Sequence, residues 1–389
     1  MNFSNSLPFS DDLIVQIFIR LPIKPLFRFK CVCKQWQALI CNHPSIVLRN
    51  TTGFYIMVNS TKALQPGNIK FINVHPSGFI IGSSSSDQLV IDMNLNFIQQ
   101  SVVIVDSNKG FLLLQKKKMS TSLDDDDDKE QPTQYFVCNP LSKQLISLPK
   151  PKYRYDREKA SFFCYKDDSV DQHDHIEFIV TCYNGSVREI YSSKTRLWIE
   201  VEPGLRRDSR GIFFNERVYW LDRWCNSSLL CLVQGDGIRK IKFPCSKQST
   251  YYEQLIGVSG ESLYFADSNR SCFMVWRLVN GVHWCMKHHI TFKRVIYPEA
   301  DWITKKHSFI PLAFHPLNYQ LVLVFMNSRL VIYRMDEQRI ELINELQDQI
   351  FPSIHNLPHN KLFPDIRNML LFPFSLAAWS TCTPRIKDT

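Results

Sequence analysis

The chain has 389 residues, 44% of them hydrophobic and 21% charged, with twelve cysteines and a formal net charge of +9. That length exceeds what one typical domain needs, so two domains or one large β domain are expected. There is no apolar run of about 18 residues to span a membrane, and "MNFSNSLPFSDD" lacks a basic stretch leading into an apolar one, so it does not read as a signal peptide. Scattered cysteines without a secretory signal read as reduced thiols of the cytoplasm or nucleus. The cations are dispersed, and Lys116–Lys118 sits just before Asp124–Asp128. With no face-clustered basic patch, neither nucleic acid nor a membrane is expected as a partner.

Residues 1–48 read as a small helical unit. Ser10 precedes Asp11 and Asp12, an N-cap followed by acids in the first turn. The helix runs to about Arg20 and Pro22 stops it. Its polar residues, Asp12, Gln16 and Arg20, form one narrow stripe, so the rest of its surface is apolar and must be covered. Pro25 opens a second helix. Phe29, Val32, Cys33, Trp36, Leu39 and Ile40 then recur on one helical face. A unit this small cannot cover the first helix by itself, so the missing cover comes from the next domain or from another protein. Cys31 and Cys33 have no second Cys or His pair at zinc spacing and do not read as a metal site.

The stretch "DDLIVQIFIRLPIKPLFRFKCVCKQWQALI" resembles the F-box of the large plant family of F-box proteins. The matching residues are Asp12, Leu13, Ile14; Arg20, Leu21, Pro22; and Val32, Cys33, Lys34, Trp36, Leu39, Ile40. There are two departures: Leu7-Pro8 lie two residues upstream of their usual place, which Phe9-Ser10 occupy, and Phe18 stands where Leu is usual. The resemblance implies a three-helix F-box that docks a Skp-type adaptor, and through it cullin and RING subunits. The docking residues it implies are Leu7, Pro8, Leu13, Ile14, Ile17, Leu21, Pro22, Leu26, Val32, Cys33 and Trp36.

Beyond about Thr51, short apolar runs alternate with turn residues, which argues an all-β domain over 52–380. "VYWLD" (Val218–Asp222) and "LYFAD" (Leu263–Asp267) lie 45 residues apart. The apolar runs downstream of each correspond too: "LLCLV" and "RKIKF" after the first, "FMVWRLV" and "WCMKHHI" after the second. "LVLVF", "RLVIY" and "RIELI" make a third copy, starting at Leu321. Looser units hold Gly110–Leu114 with "YFVCN" and "QLISLP", and "IEFIVTCY" with "VREIYSS" and "RLWIEVE". Three or four strands per repeat is the pattern of propeller blades, about six in number. A further unit joins strands near 53–104 to Met369–Trp379, which removes the exposed sheet edge. Segments such as "YFVCNPLSKQLISLP", "GIFFNERVYWLD" and "FHPLN" are similar to the F-box-associated, kelch-like domain of the same plant family. The charged, low-complexity segment 116–134 reads as a disordered loop.

No nucleophile elbow, H-E-x-x-H, P-loop or dinucleotide fingerprint is present, so no catalytic residue, cofactor or metal is expected. His173 and His175 read as part of a polar surface loop. His288 and His289 face opposite ways on a strand and make poor joint ligands. Arg206, Arg207, Arg210, Arg223, Trp224, Tyr251, Tyr252 and Trp302 fall in loops between strands and are of types enriched at binding hot spots. They are the candidates for a target-binding face. With the family resemblance, the expected function is a non-catalytic substrate receptor of an SCF (Skp–cullin–F-box) ubiquitin ligase. The alternatives are an adaptor-bound binding protein acting without cullin and a propeller that binds some other ligand.

Overall fold

The computed structural model describes residues 10–21, 28–29, 31–42, 52–58, 69–74, 93–116, 133–155, 159–166, 176–184, 187–201, 211–215, 217–222, 229–234, 237–244, 254–269, 271–292, 309–326, 329–343 and 369–375. Helix α1 (Asp11–Arg20) begins after Ser10 and ends at Leu21, whose extended backbone suits the residue before a proline. Ser10 stands at the cap position, but its side chain makes no cap bond; its carbonyl accepts from Leu13 and Ile14.

The apolar face read as one helix from Phe29 to Ile40 is broken. Arg28 and Phe29 close a turn, accepting from Cys31 N and Val32 N at 3.1 Å each. Helix α2 (Lys34–Asn42) starts only after Cys33. The Cys33 thiol takes the capping role, accepting from Trp36 N at 3.4 Å. Gln35 donates to Asp11 Oδ1 at 2.7 Å and ties α2 to α1.

Among the described residues, the rest of the chain forms six antiparallel sheets. The first holds β1 (Gly53–Val58), β2 (Ile69–Asn73) and the last strand, β23 (Met369–Phe374), in the order β2-β1-β23. The other five are four-stranded and follow one another along the chain: β3 (Val102–Asn108), β4 (Phe111–Lys116), β5 (Tyr135–Asn139) and β6 (Gln144–Ser147); β7 (Ala160–Lys166), β8 (Ile176–Asn184), β9 (Val187–Ser192) and β10 (Leu197–Val201); β11 (Ile212–Phe214), β12 (Arg217–Asp222), β13 (Leu229–Gln234) and β14 (Gly237–Lys242); β15 (Gln254–Ser259), β16 (Ser262–Ser268), β17 (Cys272–Val279) and β18 (His283–Thr291); and β19 (Phe309–Phe314), β20 (Leu321–Met326), β21 (Arg329–Arg334) and β22 (Arg339–Leu342). The repeats read from sequence fall on equivalent strands: Val218–Asp222 lies in β12 and Leu263–Asp267 in β16, each the second of its sheet. The C-terminal apolar segment does join β1, but Val102–Ile104 belongs to β3 in the next sheet.

Alternation along each strand sends one set of side chains to each neighbouring sheet. In β1, Tyr55 and Met57 pack toward β3–β6, whereas Phe54 and Ile56 pack toward β19–β22. Apolar clusters likewise join β3–β6 to β7–β10, β11–β14 to β15–β18, and β15–β18 to β19–β22. Sheets β7–β10 and β11–β14 meet through Phe163 and Phe213, 5.2 Å between ring centres, and through Gly211 N donating to Ser161 Oγ at 2.8 Å. The sheets therefore neighbour one another in a closed cycle.

Two polar junctions secure the cycle. Buried His315 joins the last sheet to the first: its Nε2 bonds Val74 O at 2.9 Å, while Nδ1 accepts from Leu317 N and Asn318 N. Ser107 Oγ donates to Pro373 O at 2.7 Å between β3 and β23.

Three equivalent four-residue turns lead into the outermost strands. Each ends on a non-glycine residue in the left-handed region: Lys143 (φ 56), Arg196 (φ 59) and Gln338 (φ 53). That conformation costs an L-residue with a Cβ of the order of 1 kcal/mol. Glycine at each position is expected to raise stability by about 0.5–1 kcal/mol, read from denaturant midpoints; unchanged or lower midpoints would show that the side chains compensate locally. A chain ending at residue 368 lacks β23 and leaves the β1 edge open. It is expected to lose cooperative unfolding and to aggregate in size-exclusion chromatography; a monomer with an intact transition would contradict this.

Candidate functional site: the helical unit and the two ends of the ring

The helical unit has an inside and an outside. Ile14, Val15, Phe18 and Ile40 form its centre, with Leu21, Phe29, Trp36 and Leu39 packed against it. Phe18, only 2% exposed, stacks on Phe29 at 6.1 Å and meets Trp36 edge-on at 5.2 Å. The departure from Leu at this position is thus absorbed in the core of the unit. Outside stand Leu13 and Ile17, each 54% exposed, and Val32, 60% exposed. Leu13 and Ile17 are four residues apart on α1 and so share a face. Cys31 and Cys33 are exposed free thiols beside Val32.

Of the eleven residues expected to dock an adaptor, Leu13, Ile17, Val32 and Cys33 are exposed, whereas Ile14 is 4% exposed and belongs to the centre. Leu21 and Trp36 are half-buried against that centre. Leu7, Pro8, Pro22 and Leu26 lie outside the described residues.

The helical unit touches the ring at Leu141, in the turn between β5 and β6, which packs on its cluster. This contact gives the ring two distinguishable ends. Between β3 and β7, Phe162 N donates to Asp106 Oδ2 and Cys164 N to Asn108 Oδ1, so the partners advance together and the strands run parallel. The pairs Ser161–Gly211 and Phe163–Phe213 do the same for β7 and β11. Ser259 Oγ donating to His315 O and Gly260 N to Pro316 O do so for β15 and the strand end of β19. Gly281, in the β17–β18 turn, lies against Arg217 at the start of β12, which sets β11 and β15 in the same sense. With antiparallel pairing inside every sheet, the turns from first to second and from third to fourth strands share the end that carries Leu141. The connections from second to third strands, and from each sheet to the next, share the far end.

The eight loop residues expected to bind a target, Arg206, Arg207, Arg210, Arg223, Trp224, Tyr251, Tyr252 and Trp302, all lie outside the described residues, as do His173 and His175. One far-end segment that shows no motif in the sequence is described in full. Glu189, buried in β9, accepts from Lys152 N at 3.0 Å, Tyr153 N at 3.2 Å and Tyr155 OH at 2.7 Å. Burial and then this bond to Glu189 push the Tyr155 hydroxyl far above its ordinary pKa, so it stays a donor. Trp198 Nε1 donates to Pro149 O at 2.7 Å.

His288 bonds Tyr333 OH through Nε2 at 3.0 Å. Burial, helped by His289, lowers its pKa to about 4, so it is neutral at physiological pH and serves the packing between β18 and β21. His289 is exposed. Among the described residues there is no group of three or more metal-ligating side chains, and no helix is long and apolar enough to cross a membrane.

Known proteins give this arrangement a family. The family described as "F-box protein At3g26010-like, beta-propeller" matches residues 70–361, and the F-box domain matches residues 7–48. F-box protein At5g49610 of Arabidopsis thaliana is 29% identical over 38% of this chain and 34% of its own length. F-box protein At5g07610 of the same plant is 26% identical over 54% of this chain and 49% of its own length. The chain thus spans half or less of the length of these relatives. Among solved structures, the periplasmic gluconolactonase PpgL of Pseudomonas aeruginosa aligns over 75% of this chain and 82% of its own, at 9% identity and a TM-score of 0.38, too distant to carry an argument. With an F-box at its start and three quarters of its length matched by the beta-propeller family, the chain belongs to the F-box proteins with an At3g26010-like beta-propeller domain.

Proposed function

We propose that the chain is the substrate-recognition subunit of an SCF ubiquitin ligase. In this reading residues 1–48 are a three-helix F-box, and residues 52–380 are a propeller whose six blades are the six sheets. The observation that carries it is the outside of the helical unit: Leu13, Ile17 and Val32 each leave more than half of an apolar side chain in water, in a segment that matches the F-box domain. Exposed apolar side chains on one small unit mark an interaction surface. The occupant is a Skp-type adaptor, which brings cullin and RING subunits.

Leu13, Ile17, Val32 and Cys33 make the direct contacts, joined by Leu7, Pro8, Pro22 and Leu26. Ile14, Leu21 and Trp36 hold the face from within. The target is captured at the far end of the ring. The strands flanking Arg206, Arg207, Arg210, Arg223, Trp224, Tyr251, Tyr252 and Trp302 all begin or end there, which supports a target face opposite the adaptor. The chain makes and breaks no bonds. It accelerates ubiquitin transfer by raising the local concentration of target lysines near the loaded conjugating enzyme, in the cytoplasm or nucleus.

The test is co-expression with a Skp-type adaptor and affinity purification. Leu13→Asp with Ile17→Asp is expected to weaken adaptor binding by about a hundredfold, as loss of interface anchors does. Because both side chains are exposed, the thermal midpoint should hold. Ile14→Ala should instead destabilise the helical unit by about 2–4 kcal/mol, seen as earlier proteolysis of the N-terminal segment. Full adaptor retention by the double variant would reject the docking face. Adaptor capture without cullin would leave a binding protein rather than a ligase subunit.

A further inference from the structure

The segment from Pro149 to Tyr155, "PKPKYRY", links β6 to β7 at the far end of the ring. It lies outside the regular strands, yet from Lys150 to Tyr155 its burial alternates with period two. Pro151 and Tyr155 are buried and Tyr153 is half-buried, whereas Lys150, Lys152 and Arg154 are exposed. The backbone bends at Lys152 and Tyr153, whose amides both turn to the Glu189 carboxylate.

The segment is held along its length. Trp198 Nε1 holds Pro149 O, and the buried Glu189 carboxylate holds two successive backbone amides and the Tyr155 hydroxyl. Thr133 Oγ1 accepts from Tyr155 N at 3.1 Å, and Gln115 Nε2 and Thr133 Oγ1 both reach Tyr155 O at 3.4 Å. Ordering a loop and its side chains on binding costs entropy. Here the backbone carrying three cations is fixed beforehand, so only the side chains need ordering. Lys152 stands over the Tyr153 ring at 4.9 Å and meets Glu200 at 3.3 Å, both partners exposed. An exposed pair of this kind is weak and exchanges readily with a competing carboxylate or phosphate.

We infer that this group of cations anchors an acidic segment of the target protein, one rich in aspartate, glutamate or phosphorylated side chains. Its place in target capture rests on the proposed receptor role. The three exposed cations match an acidic segment lying against them, with anions meeting Lys150, Lys152 and Arg154. Glu200 is a carboxylate at the rim, and an incoming anion displaces it from Lys152.

The inference is tested on the full chain purified after co-expression with a Skp-type adaptor, whether or not the adaptor is retained, with a fluorescein-labelled oligoglutamate peptide and an oligothymidine as probes, read by anisotropy. Oligoglutamate is expected to bind the natural chain with a steep salt dependence. The Lys150→Ser, Lys152→Ser, Arg154→Ser triple variant should bind it about tenfold more weakly, with adaptor retention and thermal midpoint unchanged. Equal binding by the natural chain and the triple variant overturns the inference. Tighter binding of oligothymidine than of oligoglutamate overturns it in favour of a nucleic-acid surface. Adaptor bound without probe defeats this inference alone; probe bound without adaptor defeats the ligase reading alone.

Discussion

The pairing of the last strand with the first organises the β domain. A sheet edge is a row of unsatisfied donors and acceptors, and without the last strand one side of β1 would be such an edge. Here β23 lies against β1 over six residue pairs, from Gly53–Phe374 to Val58–Met369. The apolar alternation of β1 serves the sheets on either side of it, so the same strand closes both the ladder and the core. Gly53 is part of the arrangement: a Cβ there would collide with the carbonyl of Ile72 on β2. His315 and Ser107 add polar bonds on the two flanks of the closing sheet.

Much of this ring is legible in the sequence, and the gaps have physical causes. The second, third and fourth strands of most sheets stand out as apolar runs at a regular spacing. The first strands, which line the middle of the cycle, are harder to read because close packing there calls for residues that disguise a strand. β15 carries Gly257, where an added Cβ would press within 3.3 Å of the Phe314 ring. β19 carries Pro311 beside the irregularity in its pairing with β20, a position where a missing N–H is tolerated. β11 is only three residues long. The basic row of Lys150, Lys152 and Arg154 is equally hard to see: three cations among prolines and tyrosines look dispersed until the period-two burial is known.

The helical unit shows what periodicity leaves out. Its apolar residues divide into a core group and an exposed group, although hydrophobicity alone does not separate them. Phe18 and Trp36 turn inward against each other; Leu13, Ile17 and Val32 turn outward. The break before α2 is hidden in the sequence because a cysteine, counted as apolar in the pattern, acts as a cap and resets the helix phase. Capping by sulfur is weaker than by an oxygen, and Cys33 also sits on the outer face, so one residue serves both local geometry and the surface.

The closing pair also sets the order in which the protein is completed. Gly53 and Phe374 are more than three hundred residues apart, among the most distant contacts a chain of this length can make. Long-range pairing is slow to form, and domains emerge from the ribosome in N-to-C order. The helical unit is therefore made first, while β1 waits with an open edge until the final strand is synthesised. During that interval a nascent chain already carries the exposed face of Leu13, Ile17 and Val32 but has no closed ring. The waiting edge is open to pairing with other chains, and a chain truncated near its end would keep the helical unit without a finished ring.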